Sequence, residues 1–396
     1  MSWLFGGSSE PERKKKSGPA LTILVIDSGS KSSDWKKIFD GKELKGVDRP
    51  LQVIQCGWDD FHVMSDGPFS SSPCIVNVRV SVEGDVERKR VVTIKPAFVL
   101  VRNEVCALSH DRRAKLFGLM YGNIPSVNTL KSIYMFCERP IVQAELNRIS
   151  RCHGDKFLLV PQSYFASYQE FFYGNTFPAV IKVGSAHAGF GKMKIANHKD
   201  MEDFKSVLAV ADKYCTAEPF IDGKYDLRIQ KIGSHYRAFK RMSISGTWKT
   251  NTQSSHVEEI DVKPEYKFWA DEASKMFGGL DILTVDAIHN NNNGKEYIME
   301  VNGTSSGLLP SRQAEDDAHI RDLVLAKMEE EYGEKKKKKK KKDEPLQGAG
   351  EAATAAAAAV VDNEKGETAV AAAGDDDDDG SVEEGTRSVD ATLIQE

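Results

Sequence analysis

Short apolar runs and period-two alternation recur along the chain up to about residue 330. They break at Gly, Pro, Asn and Asp clusters, as strands do. Leu21–Ile26 is an unbroken apolar run ending at Asp27, then comes a Ser/Gly loop and helical spacing over Asp34–Phe39. Leu51–Gln55 predicts a second strand. Ile75–Val82 and Glu87–Ile94 alternate around Gly84-Asp85 and predict a hairpin; Phe98–Arg102 predicts a further buried strand, Arg112–Tyr121 a helix, and Ile124–Asn128 a short strand into a turn. Strand, loop and helix in alternation imply a mostly parallel sheet whose site lies at the carboxyl ends of its strands. Arg102 stands at such an end, where it serves either an anionic ligand or a backbone carbonyl.

The second half reads as follows. Leu130–Cys137 and Pro140–Cys152 predict helices, Phe157–Pro161 a strand, Tyr164–Phe172 a helix and Pro178–Val183 a strongly apolar strand. Asp200–Tyr214 is amphipathic. Thr216–Gly223 predicts a strand whose proline frees a ladder position, and Lys224–Gln230 and Tyr236–Met242 continue a sheet. Pro264–Phe277 predicts a helix stopped by Gly278-Gly279, and His319–Glu331 the last helix.

Between them, from Leu280 to Pro310, two β-branched arms flank the turn run Asn290–Gly294 and predict a hairpin. Glu300 and Asn302 are two apart and share a face. A register with Thr284 or Asp286 opposite Glu300 brings Asp286 to that face. Unpaired carboxylates that close repel, and a hard cation such as Mg²⁺, which takes few protein oxygens plus substrate phosphates, is the usual remedy. The alternative is a solvated surface hairpin.

Upstream, the loop Gly184–Lys194 is rich in Gly and small residues, with Lys182, Lys192 and Lys194 around it. Glycines let backbone N–H groups close on phosphate oxygens, although the spacing is neither a P-loop nor GxGxxG; an ordinary flexible turn is the competing reading. Asp226 and Arg228 share a strand face, as a salt bridge or a phosphate holder. The polar loop Ser245–Ser254, with Trp248 and Lys249, has the length of a lid.

Composition adds the ends. The net charge is −5, but the segment from Asp343 onward holds 15 acidic and 2 basic residues, and Lys335–Lys342 is an unbroken lysine run. Residues 1–334 therefore sum to zero, which argues against a nucleic-acid surface. Residues 1–19 and 333–396 are expected to be disordered. Trp3, Leu4 and Phe5 beside Arg13–Lys16 are either a frayed end or a shallow lipid anchor. No secretory signal and no membrane-length apolar run is read. The six cysteines stand singly with no CxxC pair, so reduced, mostly packing residues in the cytosol are expected, and no zinc site.

Together, the strand with Lys182, the glycine-rich loop, Glu218-Pro-Phe-Ile, Asp226-x-Arg228 and an acid pair ending in Glu300-Val-Asn302 resemble the ATP-grasp superfamily. Lys95–Arg102, Ile124–Asn128, Phe136-Cys-Glu-Arg-Pro140, Glu218–Asp222, Lys224–Arg228, Ser245-Gly-Thr-Trp-Lys-Thr-Asn-Thr252 and Phe277–Ile282 resemble, more narrowly, the synapsin family. The resemblance implies an α/β (α+β) fold: a pre-ATP-grasp parallel-sheet domain over 20–125, then a two-lobed ATP-grasp domain over 126–332. It implies ATP bound with Ca²⁺ or Mg²⁺, and homodimers or homotetramers. Carried over by position, Arg139 and Lys182 contact phosphates. Residues 188–192, with Gly189, Gly191 and Lys192, form a lid. Glu218 and Ile221 hold adenine, Trp248 and Lys249 close over the triphosphate, and Asp286 and Glu300 hold the metal. Arg228 is a further ATP-binding residue; were the chain a ligase, Arg228 or Arg241 would steady the transferred charge. The family implies peripheral association with synaptic vesicles in the presynaptic cytoplasm, actin binding, vesicle clustering and regulation of neurotransmitter release, with no ligase reaction.

This sequence departs from the family in four places. Arg139 replaces a lysine, exchanging a point charge for a fork. Asp286 replaces the glutamate of vertebrate synapsins. Asn302 restores the third metal ligand of ATP-grasp ligases, which reopens an active carboxylate–amine ligase as the alternative function. The N-terminal basic phosphorylation motif and the Pro/Gln-rich tail of the family are missing in their usual form.

Overall fold

The Leu21–Ile26 strand (β1) is buried along its whole length, as a strand covered on both faces must be. The computed structural model describes residues 18–66, 74–82, 85–107, 110–171, 177–185, 190–244, 248 and 255–333. β1 pairs in parallel with β2 (Leu51–Cys56) on one side. The helix α1 (Trp35–Phe39) lies between them in sequence. Strands β3 (Phe61–Ser65), β4 (Cys74–Val82) and β5 (Asp85–Ile94) form a separate antiparallel sheet. β6 (Pro96–Val101) returns to pair in parallel with β1. A small hairpin, β7 (Cys106–Ala107) and β8 (His110–Asp111), leads to α2 (Arg113–Tyr121). β9 (Ser126–Val127) completes the parallel order β2-β1-β6-β9.

Asn128, directly after β9, ties this sheet to the rest. Its side chain donates to the carbonyl of Ile282 at 2.7 Å and accepts from the N–H groups of Asp281 and Ile282 at 2.9 and 2.8 Å. Helix α3 (Leu130–Met135), capped by Thr129, and α4 (Arg139–His153) follow, with Pro140 in the first turn of α4, where a missing N–H costs nothing.

The next sheet has the order β10-β13-β11-β12, from β10 (Ser163–Phe165), β11 (Ala179–Val183), β12 (Lys192–Ile195) and β13 (Cys215–Pro219). Helix α5 (His198–Ala211) is capped by the Asn197 side chain and packs Met201, Phe204 and Leu208 on this sheet. The last sheet is antiparallel, in the order β16-β15-β14-β17-β18. Its strands are β14 (Gly223–Ile232), β15 (His235–Ser243), β16 (Ser255–Ile260), β17 (Ile282–Asn290) and β18 (Glu296–Asn302). Helix α6 (Pro264–Ala273) and α4 cover one face through Tyr266, Trp269, Ala270, Leu146 and Ile149.

Helix α7 (Gln313–Gly333), the last described element, packs against the first sheet. Ile320, Val324 and Met328 share a core with Leu21, Ile23, Val25 and Leu100, while Leu24, Ile26 and Val99 point into a different core with Leu116 and Leu119. The opposite faces of β1 therefore serve two cores, and the C-terminal helix builds one of them.

Three expected elements differ. Residues 157–161 form no ladder but a single parallel bridge, Leu159 to Ile298, with Val160 N–H donating to the Ile298 carbonyl; Pro161 has no N–H to carry the pairing further. The predicted helix over 164–172 begins as a strand, because Tyr164 and Phe165 take the open edge of β13 opposite Thr216 and Cys215; their aromatic side chains suit a strand. The last helix starts at Gln313, six residues before His319, continuing from a short turn at Pro310–Arg312.

Candidate functional site

A cleft of about 590 Å³ lies between the β10-β13-β11-β12 sheet and the last sheet. Its floor is set by the β17–β18 register, which pairs Asp286 with Glu300 and Thr284 with Asn302. A bulge after Asp286 leaves Met299 opposite no partner, so Ala287 faces Ile298; the extra residue re-aims the strand next to the acids. Met299, Ile288 and Val160 give the cleft an apolar wall.

The two carboxylates are not unpaired. Arg228 forks onto Asp286 through Nε and Nη2 at 2.6 and 2.7 Å, and Arg241 stands 3.7 Å away. Arg139 donates to Glu300 at 2.6 Å, with Lys192 at 4.0 Å. Carboxylate crowding, the physical reason for expecting a cation, is therefore relieved here by guanidinium groups. The partner of Arg228 is Asp286, across the sheet, and not Asp226 on its own strand. Asn302 donates its Nδ2 to Asp286 Oδ2 at 2.9 Å.

These pairs set the proton affinities. Partial burial alone would raise Glu300, but Arg139, Lys192 and Lys182 hold it well below the usual carboxylate range. Glu300 favours the charged form of Lys192, yet burial and the neighbouring Lys182 and Arg139 outweigh it and lower the ammonium. Arg241 is lowered by burial and by Arg228 beside it. A pocket that crowds cations until they repel one another is set up for a polyanion.

Lys182 lies on β11, buried, and donates to Glu218 Oε2 on β13 at 2.7 Å; Gln162 donates to the same oxygen at 3.1 Å. Both residues face the cleft, so the pair occupies the space where an anionic ligand would draw on Lys182. Lys192 and Lys194, two apart on β12, both face inward. Gly191 opens that strand at φ +65°, a conformation that favours glycine, and its carbonyl accepts from Val183 N–H at 2.9 Å. Ile221 lines the far end of the cleft. Trp248 stands beside Phe220, edge to face at 6.3 Å, and the Lys194 ammonium sits 3.5 Å over the Phe220 ring. Gly189 and Lys249, and the lid residues 188 and 189, lie outside the described residues.

A second cavity of about 240 Å³ shares Glu300 and Arg241 with the first and is further lined by Arg139, Arg228, Asn302, Cys106, Cys137 and the loop Gly303–Gly307. Of the sequence-predicted residues, Lys182, Lys192, Glu218, Ile221, Trp248, Asp286 and Glu300 thus meet in the first cavity, and Arg139, Arg228 and Asn302 join Glu300 in the second. The residues missed were Phe220 and Lys194 as a cation-on-ring pair at the rim, and the Gly303–Gly307 loop. The period of two from Lys192 to Lys194 was the available signal for the first; the second carried no charge pattern to betray it.

Among the described residues no three His, Cys, Asp or Glu side chains converge on one point. A hard cation would therefore rest on Asp286, Glu300, the Asn302 amide and oxygens of a ligand. That donor set fits Mg²⁺ or Ca²⁺ in type.

Comparison with known proteins completes the picture. A family described as the synapsin ATP binding domain matches residues 128–330, and one described as the synapsin pre-ATP-grasp domain matches residues 16–126. The protein "Synapsin" of Drosophila melanogaster is 35% identical over 314 residues, which is 78% of this chain and 30% of that relative. The chain thus spans under a third of the length of this curated relative. Among solved structures, an ATP-grasp RimK domain protein from Sphaerobacter thermophilus superposes with a TM-score of 0.51 at 13% identity, covering 77% of this chain and 99% of that one. The ATP-grasp ligase PsnB, complexed with a precursor variant, Mg and ADP, gives 0.53 at 15% identity, covering 77% and 98%. VanG D-Ala:D-Ser ligase from Enterococcus faecalis gives 0.51 at 13%, covering 79% and 99%. At such identities the likeness is one of fold: a pre-ATP-grasp domain followed by an ATP-grasp domain.

Proposed function

The chain belongs to the synapsin family, and on that premise we propose that its cleft captures ATP as a metal complex and uses the nucleotide as a switch, without turnover, in a protein peripheral to synaptic vesicles. The observation that carries the nucleotide reading is the pairing of Asp286 with Glu300 on the floor of a cleft lined by Lys182, Lys192, Lys194 and Arg241, with Arg228 and Arg139 bound to the two acids from the adjoining cavity. Lys182 and Lys192 sit where they can trade Glu218 and Glu300 for phosphate oxygens. Glu218, released from Lys182, would receive an adenine edge together with the backbone of Pro219–Ile221. Phe220 and Trp248 offer aromatic surface at the rim, with Lys194 over the ring as a cation within reach of a phosphate. A bound divalent cation would supply charge neutralisation between the carboxylates and the phosphates; Asp286, Glu300 and Asn302 would hold it. Ligand binding to one of two arrangements shifts their populations only by its difference in affinity; here that difference arises from ion pairs that open when phosphate enters. Ca²⁺ and Mg²⁺ are both compatible with the donor set.

Vesicle clustering, actin contact and homo-oligomer formation follow from the family for the whole protein, of which the curated relative is much the longer. No helix of the described residues is long and apolar enough to cross a membrane, which accords with a peripheral role.

The second cavity favours one other reading, an active carboxylate–amine ligase. Three guanidinium groups, Arg139, Arg228 and Arg241, line a space that shares Glu300 and Arg241 with the nucleotide cleft, where a carboxylate acceptor would meet a terminal phosphate. One experiment separates the readings. Calorimetry with ATP and Mg²⁺, with Ca²⁺ and with chelator measures binding, and ADP is then assayed with pools of carboxylates and amines. Metal-dependent binding with no ADP supports the switch. Stoichiometric ADP in the presence of one acceptor supports the ligase. No nucleotide binding at all overturns both.

A further inference from the structure

Arg102 stands at the carboxyl end of β6, where the sequence leaves it to serve either an anionic ligand or a backbone carbonyl. Among the described residues its guanidinium makes one hydrogen bond, from Nη2 to the Ser306 carbonyl at 3.2 Å, and no ion pair. Its Nη1 is closed off from solvent without a partner. Asp27, Asp316 and Asp317 attract it, yet each is held by other donors. Asp27 accepts from the Trp35 indole N–H at 2.6 Å, Asp317 from the Ser33 hydroxyl at 2.6 Å and Gln313 at 2.8 Å, and Asp316 from Gln230 at 2.7 Å and Arg237 at 3.2 Å. The contact that orients Arg102 is therefore the one to the Gly303–Gly307 loop. Shielding a guanidinium from water for a single carbonyl is costly, and a local rule broken in this way points to function.

The loop follows β18 directly, so it leaves the cleft floor at Glu300 and Asn302. The amino-terminal sheet holds it twice. Thr304 Oγ1 donates to the Val101 carbonyl at 2.8 Å, and Arg102 holds Ser306, partners 203 and 204 positions apart in the chain. Thr304 and Ser306 are both buried. From the other side Arg228 reaches the same loop through Nη1, to the Ser306 hydroxyl at 3.4 Å and the Gly307 carbonyl at 3.0 Å, while the Thr284 and Ser306 hydroxyls meet at 2.8 Å. A guanidinium is planar. Fixing Nη1 on the loop therefore fixes the Nε and Nη2 edge that forks onto Asp286.

On the metal–ATP reading of the cleft, we propose that Arg102 and Thr304 are positioning residues: they hold the Gly303–Gly307 loop against the amino-terminal sheet, and through Arg228 they aim the Asp286 carboxylate at a divalent cation. Neither touches the nucleotide or the metal. A binding constellation tolerates about 0.5 Å of misplacement, and losing a group that orients a metal ligand directly costs about 10- to 100-fold in metal affinity. Arg102 and Thr304 act one residue further out, so a smaller loss follows.

The test uses the full chain with Arg102→Met and, separately, Thr304→Val. The second variant keeps shape and charge and removes only the donor to Val101, so the test stands even where loss of the Arg102 charge prevents folding. Calorimetry measures ATP binding with Mg²⁺ and with chelator. Deuterium exchange of the peptide spanning 303–307 is followed in protein without nucleotide or metal, where the Ser306 N–H donates to the Gly303 carbonyl at 3.0 Å and reports whether the loop is closed. Mg-ATP affinity should fall by about fivefold in each variant, metal-free affinity should move by less than about twofold, and exchange in the loop should quicken. A residue that merely supports the fold would lower the melting temperature without changing the ratio of the two affinities. Unchanged Mg-ATP affinity in folded Thr304→Val, an equal loss with and without metal, or unchanged exchange would overturn the proposal. Exchange does not depend on nucleotide, so a loop that loosens in the variants of a parent that binds no ATP would place the fault in the ATP reading.

Discussion

Replacing Glu300 with Gln keeps the shape of the side chain and its acceptor oxygen for Arg139, and removes one negative charge. The consequence depends on what else is bound. With a divalent cation present, one anionic ligand is lost; a charged hydrogen-bonding interaction is worth about 1.5–3 kcal/mol, or about 10- to 100-fold in affinity. With a chelator present the sign reverses. A carboxylate about 4 Å from a phosphate oxygen repels it by about 1 kcal/mol in water and about 4 kcal/mol near a protein surface, so metal-free ATP should bind the variant more tightly than the parent. The two effects add, so the ratio of metal-bound to metal-free affinity should fall by about two orders of magnitude or more. Calorimetry with Mg²⁺, with Ca²⁺ and with chelator measures it, and thermal unfolding confirms that the fold survives, since Arg139 keeps a neutral acceptor. A metal dependence equal to that of the parent would refute the reasoning, because it would mean that Glu300 faces Arg139 for structure alone.

Further outcomes follow from other contacts. Asn128→Ala removes a fully buried amide and three hydrogen bonds, and should cost about 2–4 kcal/mol, read as a lower urea midpoint. Because the folded-state pKa of Glu300 is lowered, chiefly by Arg139 and Lys192, its contribution to stability is complete above its unfolded value of about 4.3 and is lost as pH falls through the lower folded value; the stability gap between parent and Glu300→Gln, by denaturant titration, should narrow in acid and stay level near neutrality. Lys194→Met keeps the stem over Phe220 but removes the charge, so nucleotide affinity should fall by about three- to tenfold while the melting temperature holds. Arg228→Lys cannot fork onto Asp286, and should weaken nucleotide binding and stability together, by about 1–3 kcal/mol in the latter.

How much was legible in the sequence depends on how far apart the partners lie. The β17–β18 hairpin could be read because a period of two fixes which residues share a face once the turn is located, and Asp286 does face Glu300. What neutralises them could not be read: Arg228 lies 58 positions from Asp286 and Arg139 lies 161 from Glu300, and no local pattern links residues at that range. Lys182 and Glu218 were each picked out for a different part of the nucleotide, and their mutual ion pair emerges only when β11 and β13 become neighbours. The aromatic run after Ser163 misled because helix and strand spacing coincide over so few residues; the free edge of β13 decided it.

Helix α7 has a consequence for how this chain can be divided. The residues it places on β1, namely Ile320, Val324 and Met328, are among the last apolar ones before the lysine run, while their partners Leu21, Ile23 and Val25 come near the start of the described chain. A protease cut or gene split near residue 127, at the seam between the two family matches, would strand one side of the opening strand in water. The amino-terminal half should then be insoluble alone and recover only when the carboxy-terminal half is supplied alongside it.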